Sequence, residues 1–143
     1  MRLFMLFAHW VGLSLWIGGE VANLIVLAAA KREDPSIFGA VARIRVAILR
    51  KVVAPGALVT LLTGLILTIQ RYYVELWLVV MQVAGFVGAI VVLLIAMPVG
   101  VKLSRIDPVG ENVPYFLMLR GRLTAIGVVS LAVALLGLWA GVK

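Results

Sequence analysis

Four long apolar runs, at about 3–30, 52–70, 76–101 and 123–142, are separated by stretches that concentrate most of the charge. At 1.5 Å per residue, a helix of about twenty residues crosses a hydrocarbon core of roughly 30 Å. The pattern predicts an all-α, polytopic integral membrane four-helix bundle, antiparallel, with the whole chain 1–143 as one transmembrane domain. Between the first two runs, Ile37, Val41, Ile44, Ile48 and Val52 recur at helical spacing against Arg43, Arg50 and Lys51. Residues 36–54 are therefore expected to form an amphipathic interfacial helix leading into the second span. Lys31-Arg32-Glu33-Asp34-Pro35 closes the first span, and Ser36 is placed to cap the amphipathic helix. Pro55-Gly56 marks the expected kink where the chain turns into the membrane.

A second pattern lies inside the runs. Gly56, Thr60, Thr63 and Gly64 share a face of the second span; Gly127, Ser130, Ala134, Gly137 and Gly141 share one of the last. The third span carries Gly85, Gly88 and Ala89. Small residues at such spacing let membrane helices approach closely. The first span differs: positions 9, 12, 16, 20 and 23 fall on one side of a helix and read His, Gly, Trp, Glu, Asn. A stripe of that kind is expected to turn away from lipid, giving a compact bundle with a polar seam. The aromatics between Gln70 and Trp77 read as an interfacial belt.

Composition supports the membrane reading and removes other classes. Hydrophobic residues make up 64% of the chain and charged ones 13%, against about 25% charged in a soluble protein. The net charge of +7 is no sign of nucleic acid, because ten of the thirteen basic residues lie in the two longer connections. By the positive-inside rule both basic loops face the cytoplasm, and both termini lie outside, in the cell (inner) membrane. The same loops are expected to rest on anionic headgroups. The first run exceeds a signal-peptide core and carries Glu20 and Asn23, so it is expected to remain as a helix. No cysteine is present, which excludes disulfides and thiolate metal sites. No phosphate-binding loop, HExxH or Ser-His-Asp arrangement supports hydrolysis.

The candidate chemistry centres on His9, the one histidine. An imidazole facing a bundle interior suits axial ligation of haem b, with Met81 or Gln82, entering from the same side, standing opposite. Gly12, Trp16 and Gly19 would then make room for the macrocycle. With Met5 one turn earlier and Met81, the same histidine suits copper. The remaining reading is an imidazole bonded to a carbonyl or threonine of a neighbouring helix. Gln82 is either part of the site or an interhelical hydrogen-bonding residue. Glu20 lies about 16 Å further along the helix, too far to share a ligand with His9. It is a candidate for an ion pair with Arg50, Lys51 or Arg122, or for proton transfer. Arg43, Arg50 and Lys51 are either snorkelling side chains or a cluster for an anionic group. A non-catalytic structural subunit of a larger membrane complex, or a homo-oligomer, is equally compatible with the small-residue faces.

His9 followed by Trp16-Ile17-Gly18-Gly19 resembles the His…W-x-G-G opening of the copper-resistance D (CopD-like) membrane domains. The related HemJ-type protoporphyrinogen oxidases open in the same way. Pro55-Gly56-Ala57-Leu58-Val59-Thr60, ending in Gly64-Leu65-Ile66, is similar to the segment that opens the HemJ type's second span, and Trp77-Leu78 to the start of its third. The likeness spans most of the chain and implies the four-helix fold, His9 as the membrane histidine, and haem or porphyrin ahead of copper. Where the HemJ type carries a lysine early in its third span this chain has Met81, and its histidine beyond the first span has no counterpart among the alanines here. If the chain is an enzyme, the resemblance implies a membrane oxidoreductase.

Overall fold

The computed structural model describes residues 1–69 and 75–142, and among them there is no strand. Four helices are long and apolar enough to cross a membrane: Arg2–Ala30, Pro35–Ile69, Leu76–Ser104 and Gly110–Gly141. The first is the uninterrupted α1 (Arg2–Ala30). The second runs from a 3-10 turn at Pro35–Ile37 through α2 (Phe38–Ile48) and a π-helical turn at Leu49–Val53 into α3 (Ala54–Ile69). The third joins α4 (Leu76–Ile90) to α5 (Met97–Ser104) through a π turn at Val91–Ala96. The last is α6 (Val113–Gly141), preceded by a 3-10 turn at Gly110–Asn112.

The amphipathic segment thus leads into the second span with no loop between them. Pro55 lies inside this continuous helix and has no N–H to give to the preceding turn, and the helix passes from α2 to α3 through the π turn just before it. The buried side of α2 is not the Ile37–Val52 stripe. Gly39, Ala42, Arg45 and Val46 are buried, followed by Leu49 and Val53, while Ile44 is 52% exposed. In a bilayer the bulky apolar face gains nothing by turning inward, whereas a small-residue face lets helices close up. The small-residue face therefore packs inward, while Ile44 of the apolar stripe faces outward and Ile48 is partly buried against the core.

Packing runs round a ring: α1 on α3, α3 on α4, α4 on α6 and α6 on α1, with α2 and α5 extending it at the end that carries the basic connections. The helices at opposite corners are α1 and α4, and α3 and α6. The α1–α3 contact is the closest. A Cβ at Gly56 would lie 2.7 Å from Trp16 N and 2.8 Å from the Gly12 carbonyl, so the two backbones touch. Trp16, Val53, Val92, Leu103, Phe116 and Ser130 are the largest fully buried side chains. Large apolar residues such as Phe7, Leu62, Phe86 and Val129 are exposed on the outside of the bundle, where four membrane-spanning helices require them. Within the aromatic belt expected at 70–77, Gln70, Arg71, Tyr72, Tyr73 and Val74 lie outside the described residues; the Trp77 indole donates to the Glu75 carboxylate.

Candidate polar sites along the first helix

The stripe on α1 does face protein. Gly12, Trp16, Gly19, Glu20 and Asn23 are all buried, and His9 is half-buried. They divide into two sites, one near the chain termini and one towards the basic connections.

At the terminal end, His9 lies against α3. Its Nδ1 is 3.0 Å from Thr63 Oγ1, and Gly64 admits the ring, since a Cβ there would fall 3.2 Å from Cε1. The direction of the hydrogen bond follows from Thr63. Its one hydroxyl proton goes to the Val59 carbonyl at 2.6 Å, with the Thr60 carbonyl 3.3 Å away. The hydroxyl can then only accept from the imidazole, so the proton sits on Nδ1 and the lone pair on Nε2. Nε2 makes no hydrogen bond to the described residues, and the side chain as a whole is half-buried.

The structure brings Thr63, not Met81, against this imidazole. Met81 packs on α6, its sulfur 3.1 Å from where a Cβ of Gly141 would lie, and Gln82 is half-buried without a hydrogen bond to the described residues. His9 belongs to the α1–α3 seam and Met81 to the α4–α6 seam. The space expected beside Gly12, Trp16 and Gly19 is also filled. A Cβ at Gly12 would meet Thr60 Oγ1 at 2.8 Å, and one at Gly19 would meet Val53 Cγ2 at 2.6 Å. The interior of one copy has no room for a macrocycle at these residues; the donor chemistry of His9 does suit one.

The second site is the more enclosed. Trp16 Nε1 donates to Ser130 Oγ at 2.9 Å, and that hydroxyl lies beside Glu20. The glycine at 127 makes room for the carboxylate, whose Oε2 would be 3.0 Å from a Cβ there. One turn along α6, Thr124 Oγ1 accepts from Arg45 Nη2 at 3.2 Å and donates to the Arg120 carbonyl at 2.9 Å. Glu20, Asn23 and Arg45 are 3%, 6% and 3% exposed. Glu20 Oε1, Asn23 Oδ1, and Arg45 Nε and Nη1 are buried without a hydrogen-bond partner among the described residues. Glu20 from α1 and Arg45 from α2 thus meet α6 one turn apart, at Gly127 and Thr124.

Arg50 and Arg122, the cations expected beside Glu20, are exposed. The buried cation is Arg45. Its signal in the sequence is the stripe Ala42, Arg45, Val46, Leu49, Val53, small and apolar apart from the arginine. Its neighbour Arg43 instead meets Asp107 at 3.6 Å, the one ion pair among the described residues, on the surface. Arg120 lies over the Phe38 ring at 4.5 Å. Met5, one turn before His9, is half-buried, and no group of three His, Cys, Asp or Glu gathers among the described residues.

Compared with family models, with curated proteins and with solved structures, the chain has no match.

Proposed function

We propose that this multi-pass membrane protein is a haem-binding or redox-accessory protein that presents His9 Nε2 as an axial ligand near the end of the bundle bearing the chain termini. The observation that supports this reading is the 3.0 Å contact of His9 Nδ1 with Thr63 Oγ1, and the tautomer follows from it. Thr63, by giving its proton to Val59, holds the Nδ1–H form and leaves a neutral, oriented imidazole with a free Nε2 lone pair. Ligating histidines characteristically have their other nitrogen held in this way. The filled Gly12–Gly19 face moves the expected position of the group away from that face, to the side of the half-buried His9 ring that carries Nε2. A second copy or a partner chain would supply any further ligand. Bound haem supplies one-electron chemistry; the chain's part is to orient the imidazole, fix its tautomer and keep it at that depth.

Haem reconstitution of the purified chain tests this directly. A Soret band is expected in the wild type and its loss in His9→Ala, with Thr63→Val shifting the band or weakening uptake. No Soret band, or one unchanged in His9→Ala, removes the reading. Copper is the second reading, favoured by the half-buried Met5 four residues before His9. Metal analysis after copper loading of the wild type, Met5→Leu and His9→Ala separates the two.

A further inference from the structure

The α5 end of the third span carries a groove that belongs to neither polar site. It has a volume of about 570 Å³, and its wall includes Leu93, Met97, Pro98 and Val101, with Lys102 and Arg105 at its mouth. These positions recur at three, four or one residues, so they form one continuous face of the helix, running from the π turn at Val91–Ala96 to the end of α5. The apolar part lies within the span; the charged part lies where the span ends and the basic connection begins.

We infer that this groove binds one anionic phospholipid, an acyl chain along Leu93, Met97 and Val101 and the phosphate between Lys102 and Arg105. Three observations select that occupant. The lining is apolar along its length yet cationic at one end only, which matches a molecule with an anionic head on a hydrocarbon tail. Both cations are exposed, and Arg105 has no ion pair among the described residues, so its charge is available. Lys102 Nζ sits 5.2 Å from the centroid of the Tyr115 ring, which steadies the ammonium and brings a phenol to the rim. Basic pockets at the ends of membrane helices recognise anionic headgroups by the same combination. A free phosphate would leave the apolar length of the groove unexplained. The inference is independent of His9, which lies towards the opposite end of the bundle.

The full chain in mild detergent, titrated with phosphatidylglycerol or phosphatidylcholine of equal chain length and read by native mass spectrometry, tests it. Phosphatidylglycerol is expected to be retained in preference, with the preference falling about fivefold for each charge removed in Lys102→Gln and Arg105→Gln. Lys31→Gln/Arg32→Gln, exposed charges at the same end but outside the groove, should leave the preference intact. Val101→Trp, which fills the apolar part and keeps both charges, should lower retention of the lipid. Equal retention of the two lipids would overturn the inference. So would a loss in Lys31→Gln/Arg32→Gln as large as in Lys102→Gln/Arg105→Gln, or full retention in Val101→Trp.

Discussion

The Trp16 ring, on α1, occupies the place that a side chain at Gly88, on α4, would need. These helices stand at opposite corners of the bundle, so one indole and one missing Cβ set the distance across its middle. The ring has nowhere to move: it is 1% exposed and its Nε1 is held by Ser130 at 2.9 Å. Gly88→Ala is therefore expected to destabilise the protein by about 1–3 kcal/mol, the usual cost of overpacking a rigid core. Gly85→Ala, three residues earlier with nothing within 4 Å of its would-be Cβ, should be neutral or stabilising by up to about 1 kcal/mol through helix propensity. Thermal unfolding of both variants in the same detergent checks the contrast.

The α1–α3 seam makes a sharper version of the same argument. At Gly88 the obstacle is a side chain; at Gly56 it is backbone, the Trp16 nitrogen and the Gly12 carbonyl. Backbone cannot rotate aside, so Gly56→Ala must push two helices apart and weaken every contact between them. A loss of about 3 kcal/mol or more is expected, the upper end of overpacking costs. Because the His9–Thr63 bond spans the same seam, Gly56→Ala should also reduce haem uptake, whereas Gly18→Ala, on an open face, should leave both properties as they are. Equal unfolding temperatures for the two variants would contradict the backbone contact.

The spans, their number and the inward turn of the α1 stripe are legible in the sequence because lipid punishes exposed polar groups along a whole helix and so writes them as long patterns. The small-residue faces are legible for a related reason: Gly56, Thr60 and Thr63, and Ser130 and Ala134, are buried where spacing puts them. Which helix each face meets is not legible. Periodicity gives a direction around one helix and says nothing of the order of helices round the ring, so spacing leaves His9 open to Met81, to Gln82 or to a threonine of a neighbouring helix, and only the fold selects Thr63. The apolar stripe of α2 marks an interfacial helix and does leave Ile44 exposed, but it says nothing of the neighbouring small-residue face that packs inward. Arg45 belongs to that inward face, one residue along from Ile44, and the apolar stripe does not mark it.

Asp34 offers a pH test outside the spans. Its carboxylate accepts from the Ser36 backbone N–H at 2.8 Å, capping the turn that opens the second helix. That N–H, and then the Ser36 hydroxyl, hold the carboxyl below its ordinary range. A depressed value means the folded state favours the ionised form. The contribution is complete above the unfolded value, about 3.9, and is lost as pH falls through the lower folded one. The Ser36 amide resonance should therefore titrate with a midpoint below that of a free aspartate. In Asp34→Asn, which keeps a capping oxygen without a charge, it should stay flat. The site is exposed, so global stability should not follow this titration.

Glu20 and Arg45 carry the last prediction. Each is buried, each leaves polar atoms without a partner among the described residues, and they meet the same stretch of α6 one turn apart, at Gly127 and Thr124. No ion pair within 4 Å joins them, yet they interact electrostatically, and neither has another opposite charge as close in the buried core. Removing one leaves the other as an isolated charge in a medium that solvates it poorly. Glu20→Gln and Arg45→Gln are each expected to destabilise the protein, by less than the about 3–5 kcal/mol of breaking a directly bonded buried pair, since more than 4 Å separates the charges. The double variant, which leaves no charge to compensate, should cost clearly less than the sum, a coupling of about 1 kcal/mol or more. The two halves of the cycle are read from unfolding in identical detergent. Additive losses would mean that each group is satisfied on its own, by solvent or by its neighbours on α6, and that the cluster does not act as a charge pair.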